Sequence, residues 1–223
     1  MMDRRIAAAM LAAGMAGAVA ATVAGAVSAQ GVAFDGSWQE QRFRLFGGNA
    51  YVQKGSALDI GSDGTVSLIW TALPRSAWNA TAASWTWQVD ASVPPTDLTA
   101  KGGDDRNVAV YFVFLPEAQA DDVRGAGIRS LLRNDAARVL VYTWGGDHPA
   151  GAMLPSPYLG PRGRTVVLRG AGTGRASERV DLAADYARAF GGAAPGVVGL
   201  AVSADSDDTD SRIRARLSDV SLH

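Results

Sequence analysis

The chain has 223 residues, of which 21 are Lys or Arg, 22 are Asp or Glu and none is Cys, and its formal net charge is −1. This balanced charge argues against nucleic acids and anionic membrane surfaces as partners, because both require basic patches. The absence of cysteine excludes a disulfide framework, a lipid anchor attached to cysteine and catalysis by a thiolate.

Residues 1–29 are predicted to be an export signal. A charged start at Arg4 and Arg5 precedes an uncharged run rich in Ala, Gly and Val, and Val27-Ser28-Ala29 supplies the small residues of a cleavage site. The run is long enough to be a membrane anchor instead, but it is weakly hydrophobic and no basic stop-transfer cluster follows it. We therefore expect a cleaved signal and a periplasmic or extracellular protein with no stable membrane insertion. Residues 30–223 are expected to form one domain.

Strand patterns dominate the rest of the chain. Val66, Leu68 and Trp70 share one face of a first alternating run, and residues 83–89 place Ala83, Trp85, Trp87 and Val89 together in the same way. Three later runs, 108–115, 139–144 and 197–202, are almost continuously apolar, which is typical of strands buried between two layers. Residues 165–169 add a strand. Residues 213–222 alternate with a shift of phase, which predicts a bulge near Ser218-Asp219.

Helical signals are few. Residues 181–190 place Leu182, Tyr186, Ala189 and Phe190 on one face, and Gly191-Gly192 supplies a left-handed stop. Residues 128–133 form a weaker second candidate. We therefore predict an all-β fold, an antiparallel β-sandwich of jelly-roll-like form with one or two short helices.

The segment 205–210 contains four carboxylates in six residues, between two predicted strands. Its oxygen-bearing side chains alternate as in a calcium loop, and a hard cation prefers such oxygens. The helix-loop-helix calcium pattern is not met, since its glycine and terminal glutamate are missing and the flanks are strands. The alternative interpretation is a solvated hairpin turn, which these turn-forming residues favour. The candidate metal ligands are Asp205, Asp207 and Asp208, and the candidate cofactor is Ca²⁺.

A second acidic pair, Asp104 and Asp105, follows two glycines and comes just before the strand at 108–115. The pair has two interpretations, a site for a cation or a sugar hydroxyl, and a turn that caps the start of a strand. If this pair and the 205–210 loop lie at one end of the sandwich, they can share a cation. The sequence does not decide whether they meet.

Trp144 and Tyr158 are candidate stacking platforms for a sugar. Trp144 ends a strand beside two glycines, and Tyr158 follows Pro157 in a predicted loop. Exposed aromatic rings bind sugar faces by stacking, although most aromatic residues are buried. Trp85 and Trp87 share the apolar face of a strand, so we assign them to the core.

No catalytic residue is predicted. His148 is the only histidine apart from the C-terminal residue, which excludes histidine-based zinc sites, and the lack of Cys excludes a Cys-His dyad. A Ser-His-Asp triad would need His148, but no Gly-x-Ser-x-Gly turn is present. Paired aspartates for glycoside cleavage stay open, because two acids suffice.

Short motifs follow one another along the chain: Trp85-Thr86-Trp87, Lys101-Gly102-Gly103-Asp104-Asp105, Tyr142-Thr143-Trp144, Pro157-Tyr158, Ala184-Asp185-Tyr186, Val198-Gly199-Leu200-Ala201-Val202 and Asp205-Ser206-Asp207-Asp208-Thr209. In order and spacing they resemble a family of exported bacterial proteins defined only as a domain of unknown function. The resemblance covers about residues 34–222 and implies a β-sandwich similar to carbohydrate-binding modules, with no established activity. Ser156 departs from the Asn that the family more often has, and Ala176-Ser177 stands where a Trp is expected.

The leading hypothesis is an exported, non-catalytic β-sandwich that binds a carbohydrate or cell-envelope glycan, with Asp104, Asp105, Trp144 and Tyr158 as candidate ligand-binding residues. One alternative is an Asp-dependent enzyme that acts on a polysaccharide. Another is a protein-interaction module of the cell envelope.

Overall fold

The computed structural model describes residues 29–43, 47–120 and 133–223. They form two packed β-sheets, with two short helices and a 3-10 turn at Arg75–Ala77. The strands are β1 (Gln30–Gly31), β2 (Gln39–Arg42), β3 (Ala50–Lys54), β4 (Ala57–Asp63), β5 (Val66–Ala72), β6 (Ala82–Ala91), β7 (Arg106–Leu115), β8 (Arg138–Trp144), β9 (Met153–Ser156), β10 (Gly160–Arg169), β11 (Gly174–Asp181), β12 (Gly196–Asp205) and β13 (Arg212–Leu222). The helices are α1 (Glu117–Ala120) and α2 (Leu182–Phe190). The predicted all-β sandwich is confirmed.

The two sheets differ in size and pairing. The six-stranded sheet has the order β11-β6-β13-β4-β3, with β1 paired to β13, and the seven-stranded sheet has the order β2-β5-β12-β7-β8-β10-β9. The described pairs are antiparallel, apart from β8 with β10, which is parallel. The three predicted apolar runs are β7, β8 and β12, neighbours in the middle of the seven-stranded sheet. Their central place explains why they show no simple alternation of apolar and polar residues.

The core lies between the sheets and is rich in aromatic rings. Trp85 and Trp87 of β6 are buried, as the alternation of residues 83–89 predicts. Their rings meet the opposite sheet: Trp85 lies 6.1 Å from Phe112 and 5.8 Å from Tyr142 between ring centroids, and Trp87 lies 5.6 Å from Trp144. Such pairs add about 0.5–1.5 kcal/mol each beyond the burial of apolar area.

Two local predictions are confirmed in detail. Helix α2 begins after Asp181, whose carboxylate accepts a hydrogen bond from the Ala184 amide at 2.8 Å, and it ends at Gly191 with φ of 78°. In β13 the register with β6 shifts between Ser218 and Ser221, and Asp219 has φ of 56°, so the bulge is real. Most of the weaker helix predicted for 128–133, and all but the last residue of the predicted export signal, lie outside the described residues.

The hairpin interpretation of the 205–210 loop is wrong. The loop leaves β12 in the seven-stranded sheet and enters β13 in the six-stranded sheet, so it crosses between layers. Ser206, which is fully buried, explains the path: its hydroxyl lies 2.7 Å from that of Ser62 in β4, and its amide donates to the Thr65 carbonyl at 3.1 Å. These bonds hold the start of the loop inside the edge of the sandwich instead of in solvent. We call residues 206–211 the crossover loop.

Among the described residues, none of the helices has the length and apolar character needed to cross a membrane.

Candidate functional site

A groove of about 500 Å³ lies on the outer face of the seven-stranded sheet. The side that faces outward is fixed by β7: Phe112 packs on Trp85 of the other sheet, so its neighbours Tyr111 and Val113 point away from the core. We call this cavity the outer groove. Its floor is aliphatic and draws on four strands: Val66, Leu68, Val113, Val139, Val141 and Ala201.

Polar residues gather at one end of the outer groove, where the start of β7 lies beside the end of β12. Arg106 and Asp205 are register partners there. Asp104 and Tyr158 complete this group, which we call the polar end. The sequence interval between Asp104 and Asp205 is about half the chain, so the sheet pairing is what brings them together.

The two acidic loops meet. Asp105 is fully buried, and its Oδ2 accepts a hydrogen bond from the Thr209 amide at 2.8 Å and another from the Thr209 hydroxyl. Its Oδ1 accepts from the Asp208 amide at 3.3 Å. Asp105 therefore joins the segment before β7 to the crossover loop. Its carboxylate does cap backbone amides, but these amides belong to a loop about 100 residues later in the chain and not to the start of its own strand.

Arg106 is the centre of the polar end. Its Nη1 contacts Oδ2 of Asp104 at 2.9 Å and Oδ2 of Asp205 at 3.4 Å, and its Nη2 donates to the Tyr111 hydroxyl at 2.8 Å. Burial alone would lower the pKa of the guanidinium, but Tyr111 and the two carboxylates raise it overall. Gly145 allows this arrangement, since a Cβ there would lie 2.8 Å from the Arg106 Cα.

Tyr158 is the exposed member of the polar end. Its side chain is 54% exposed, and its hydroxyl donates to Oδ1 of Asp104 at 2.7 Å. Partial burial, followed by the hydrogen bond to Asp104, raises the pKa of Tyr158 to about 12. The Lys101 ammonium lies 5.6 Å from the ring centroid, a cation–π distance.

Asp205 has one carboxylate oxygen that stays unsatisfied. Oδ1 is buried and has no hydrogen-bond partner among the described residues, whereas Oδ2 contacts Arg106. Burial raises the pKa of Asp205 to about 8; Arg106 opposes this shift, and the neighbouring carboxyl groups of Asp207 and Asp105 add to it. The structure thus holds a carboxyl group in surroundings rich in negative charge.

Three carboxylates form a cluster beside the polar end. Oxygens of Asp105, Asp207 and Asp208 all lie within 4.8 Å of one another. The sequence singled out Asp205, Asp207 and Asp208 as metal ligands. Asp205 neighbours the cluster through Asp207, and Asp105 of the other acidic pair takes its place inside it.

Trp144 is not an exposed sugar platform. Its side chain is 4% exposed and packs edge-on against Trp87 in the core, with the Arg169 guanidinium 5.7 Å from its ring centroid. The reason is the phase of β8, in which Trp144 has the same inward orientation as Tyr142.

The other candidate residues have mixed outcomes. Asp104, Tyr158, Asp205, Asp207 and Asp208 line the outer groove, whereas Asp105 lies behind it. Sequence reasoning missed two residues, Arg106 and Tyr111. The sequence places Arg106 directly after the acidic pair, but its burial, which makes it the centre of the site, is a property of the fold. Ser156, one of the departures from the family pattern, also lines the groove.

Comparisons with known proteins give a family and distant likenesses in fold. A model of proteins of unknown function, DUF3047, matches residues 36–221. None of the curated protein sequences matches the chain significantly.

Two solved structures that this chain resembles distantly illustrate the likeness in fold. The xyloglucanase domain of NopAA from Sinorhizobium fredii, in complex with cellobiose, is 10% identical, with a TM-score of 0.46 over 83% of this chain and 92% of that one. The family 11 xylanase from Neocallimastix patriciarum is 14% identical, with a TM-score of 0.43 over 87% of this chain and 95% of that one. Likenesses this distant carry no argument about activity.

Proposed function

Because the chain belongs to the DUF3047 family of proteins of unknown function, which assigns no activity, we propose a function from the site itself. The protein is an exported, non-catalytic binding protein for a saccharide-bearing amphiphile of the cell envelope. The apolar part of the ligand lies on the floor of the outer groove, and its hydroxyl groups reach the polar end.

The main observation that supports this proposal is that one cavity has both an aliphatic floor and an end with hydrogen-bonding groups. Val113, Val139 and Val141 line the floor but are only 2–4% exposed, and the rings of Phe43 and Tyr158, which are more than half exposed, line the same cavity. Together they offer a surface that sugar hydroxyls cannot use but an alkyl chain can. Each methylene group that such a surface removes from water contributes about 0.8 kcal/mol, close to a fourfold gain in affinity. A purely polar glycan would leave this floor unused.

The polar end suits hydroxyl groups. The carboxylate of Asp104 lines the groove and can accept hydrogen bonds. Arg106 supplies N–H donors, and the hydroxyl of Tyr158, whose one proton goes to Asp104, can accept. A hydroxylated group that both donates and accepts fits this set better than an anionic group, which the carboxylates would repel.

Calorimetric titration with three matched probes tests the proposal. Octyl glucoside, kept below its micelle-forming concentration, is expected to bind at least ~100-fold more tightly than methyl glucoside, because several methylene groups are buried. Octyl sulfate, with the same chain and an anionic head, is expected to bind more weakly than octyl glucoside. Equal binding of the two octyl probes, or tighter binding of a chain-free oligosaccharide, would contradict the proposal.

A pair of variants locates the binding. Val141→Phe fills the outer groove and is expected to abolish octyl glucoside binding, since Val141 lies on its floor. The control is Val52→Phe, at a half-exposed position in β3 of the other sheet, which is expected to bind as the parent does. Equal loss in both variants would place the ligand elsewhere.

A second candidate is an enzyme that cleaves a polysaccharide. The observation in its favour is that Asp104 and Asp205 contact the same nitrogen of Arg106, at 2.9 and 3.4 Å, so two carboxyl groups lie side by side on one cavity wall. Sugar release from envelope polysaccharides that is lost in both Asp104→Asn and Asp205→Asn would support this candidate over the binding protein.

A further inference from the structure

The meeting of the two acidic loops creates a second feature that the amphiphile does not require. We propose that Asp105, Asp207 and Asp208 bind a divalent cation, with Ca²⁺ the best match, and that Asp205 contributes a further oxygen. The site joins the segment before β7 to the crossover loop.

The spacing of the oxygens fits a calcium ion. Calcium takes six to eight oxygen ligands at about 2.3–2.6 Å, so two ligands on opposite sides of the ion lie about 5 Å apart. The oxygens of Asp105, Asp207 and Asp208 lie within 4.8 Å of one another. One ion can therefore contact all three carboxylates without a large rearrangement.

A buried oxygen of Asp205 is a second observation that supports a cation site, independent of the spacing within the cluster. Its side chain is 7% exposed, and Oδ1 finds no hydrogen-bond partner in residues 29–43, 47–120 or 133–223. The carboxyl group is within hydrogen-bonding reach of Asp207, so it faces the cluster. A buried carboxylate oxygen without a donor is costly in a folded protein. A cation at the cluster removes that cost.

The local charge points the same way. Five carboxyl groups, those of Asp104, Asp105, Asp205, Asp207 and Asp208, lie together. The cations beside them in the described part of the chain include Arg106, which bridges Asp104 and Asp205, and Lys101, which lines the same groove. A divalent ion at the cluster adds positive charge where these acidic groups are most dense.

The chemistry of the ligands selects the metal. The candidate ligands are all carboxylate oxygens, which suit hard cations and not zinc or copper. Magnesium demands near-ideal octahedral geometry and keeps several waters, whereas calcium accepts irregular sets of carboxylates from loops. The cluster draws on two loops, which favours calcium.

Titration of the purified protein, first stripped with EDTA, tests the site without any organic ligand. Calcium is expected to bind with measurable heat and to raise the unfolding temperature, and magnesium is expected to do so more weakly. The double variant Asp207→Asn/Asp208→Asn is expected to lose at least ~10-fold in calcium affinity. No heat and no shift of the unfolding temperature at millimolar calcium would overturn the proposal.

Asp210→Asn is the matched control. Asp210 lies in the same crossover loop outside the cluster, and Asn tolerates its φ of 49°. This variant removes one negative charge and is expected to keep the parent's calcium affinity. If it loses as much calcium affinity as the double variant, the loss reflects the overall negative charge of the loop, and the proposed site is contradicted. Should the double variant not fold, Asp208→Asn, at an exposed position, gives the same comparison.

Discussion

Asp105 accepts hydrogen bonds from both the amide and the hydroxyl of Thr209, a residue 104 positions later in the chain. This contact fastens the crossover loop to the segment before β7 and so positions one wall of the outer groove. Hydrogen bonds to a charged group typically contribute about 1.5–3 kcal/mol. The pair is therefore structural support for the site.

Thr209→Val removes the hydroxyl and keeps the shape and the amide. We expect the free energy of unfolding to fall by about 1.5 kcal/mol, because a fully buried carboxylate loses one donor. Urea denaturation measures the change. Thr99→Val is the control, since its hydroxyl bonds the exposed Asp97 and its removal is expected to cost no more than about 0.5 kcal/mol. If the two variants lose the same free energy of unfolding, the hydrogen bond from Thr209 to Asp105 stabilises the fold no more than an exposed one.

Tyr158→Phe tests the polar end. The change removes the hydroxyl that donates to Asp104 and leaves the half-exposed ring in place. We expect the affinity for octyl glucoside to fall about 5- to 10-fold, which corresponds to the loss of one hydrogen bond. The unfolding temperature is expected to fall slightly, because the buried carboxylate of Asp104 loses one donor but keeps its bond from Arg106. An unchanged affinity would remove Tyr158 from the ligand site.

Trp144→Ala tests the assignment of this ring to the core. We expect the free energy of unfolding to fall by about 3–5 kcal/mol, because a large side chain leaves the space beside Trp87 empty. Tyr158→Ala, at an exposed position, is the comparison and is expected to cost less than about 1 kcal/mol. Chemical denaturation of the two variants distinguishes a core residue from a surface platform.

Asp59 is expected to make the free energy of unfolding depend on pH in the acid range. Hydrogen bonds from Arg216 and Lys54, each at 2.6 Å, lower the pKa of Asp59 to about 2. A carboxylate with a lowered folded-state pKa stabilises the fold above its unfolded value of about 3.9, and that contribution is lost as the pH falls toward 2.

We therefore expect Asp59→Asn to lower the free energy of unfolding by about 0.5 kcal/mol at pH 7, a typical value for a surface pair. The difference from the parent is expected to vanish as the pH falls through about 2. Asp63→Asn breaks the more exposed pair with Arg212 and is expected to have a smaller effect. A difference that persists at low pH would show that Asp59 acts through packing and not through its charge.

Much of the fold was predictable from local patterns. The alternation at Trp85 and Trp87 and the phase shift near Asp219 each reflect side chains that point alternately to opposite faces of a strand. Three apolar runs predicted buried strands, but continuous apolarity hides which residues face which layer. Because of that ambiguity, the sequence leaves Trp144 open as a sugar platform, although the residue lies in the core.

The candidate site was predictable only in parts. Asp104, Asp205 and Tyr158 were singled out as separate features, and the order of the strands, which the sequence does not contain, brings them together. The course of the crossover loop between the two sheets depends on the tertiary contacts of Ser206. Arg106 was missed because one basic residue in a balanced chain has no pattern of its own.

A crystal structure of the protein grown with octyl glucoside tests the central claim most directly. We expect the alkyl chain to lie over Val113 and Val141, and the glucose hydroxyls to lie within hydrogen-bond distance of Asp104 and Tyr158. An outer groove without the probe, or a probe bound on the other sheet while the groove stays open, would contradict the account.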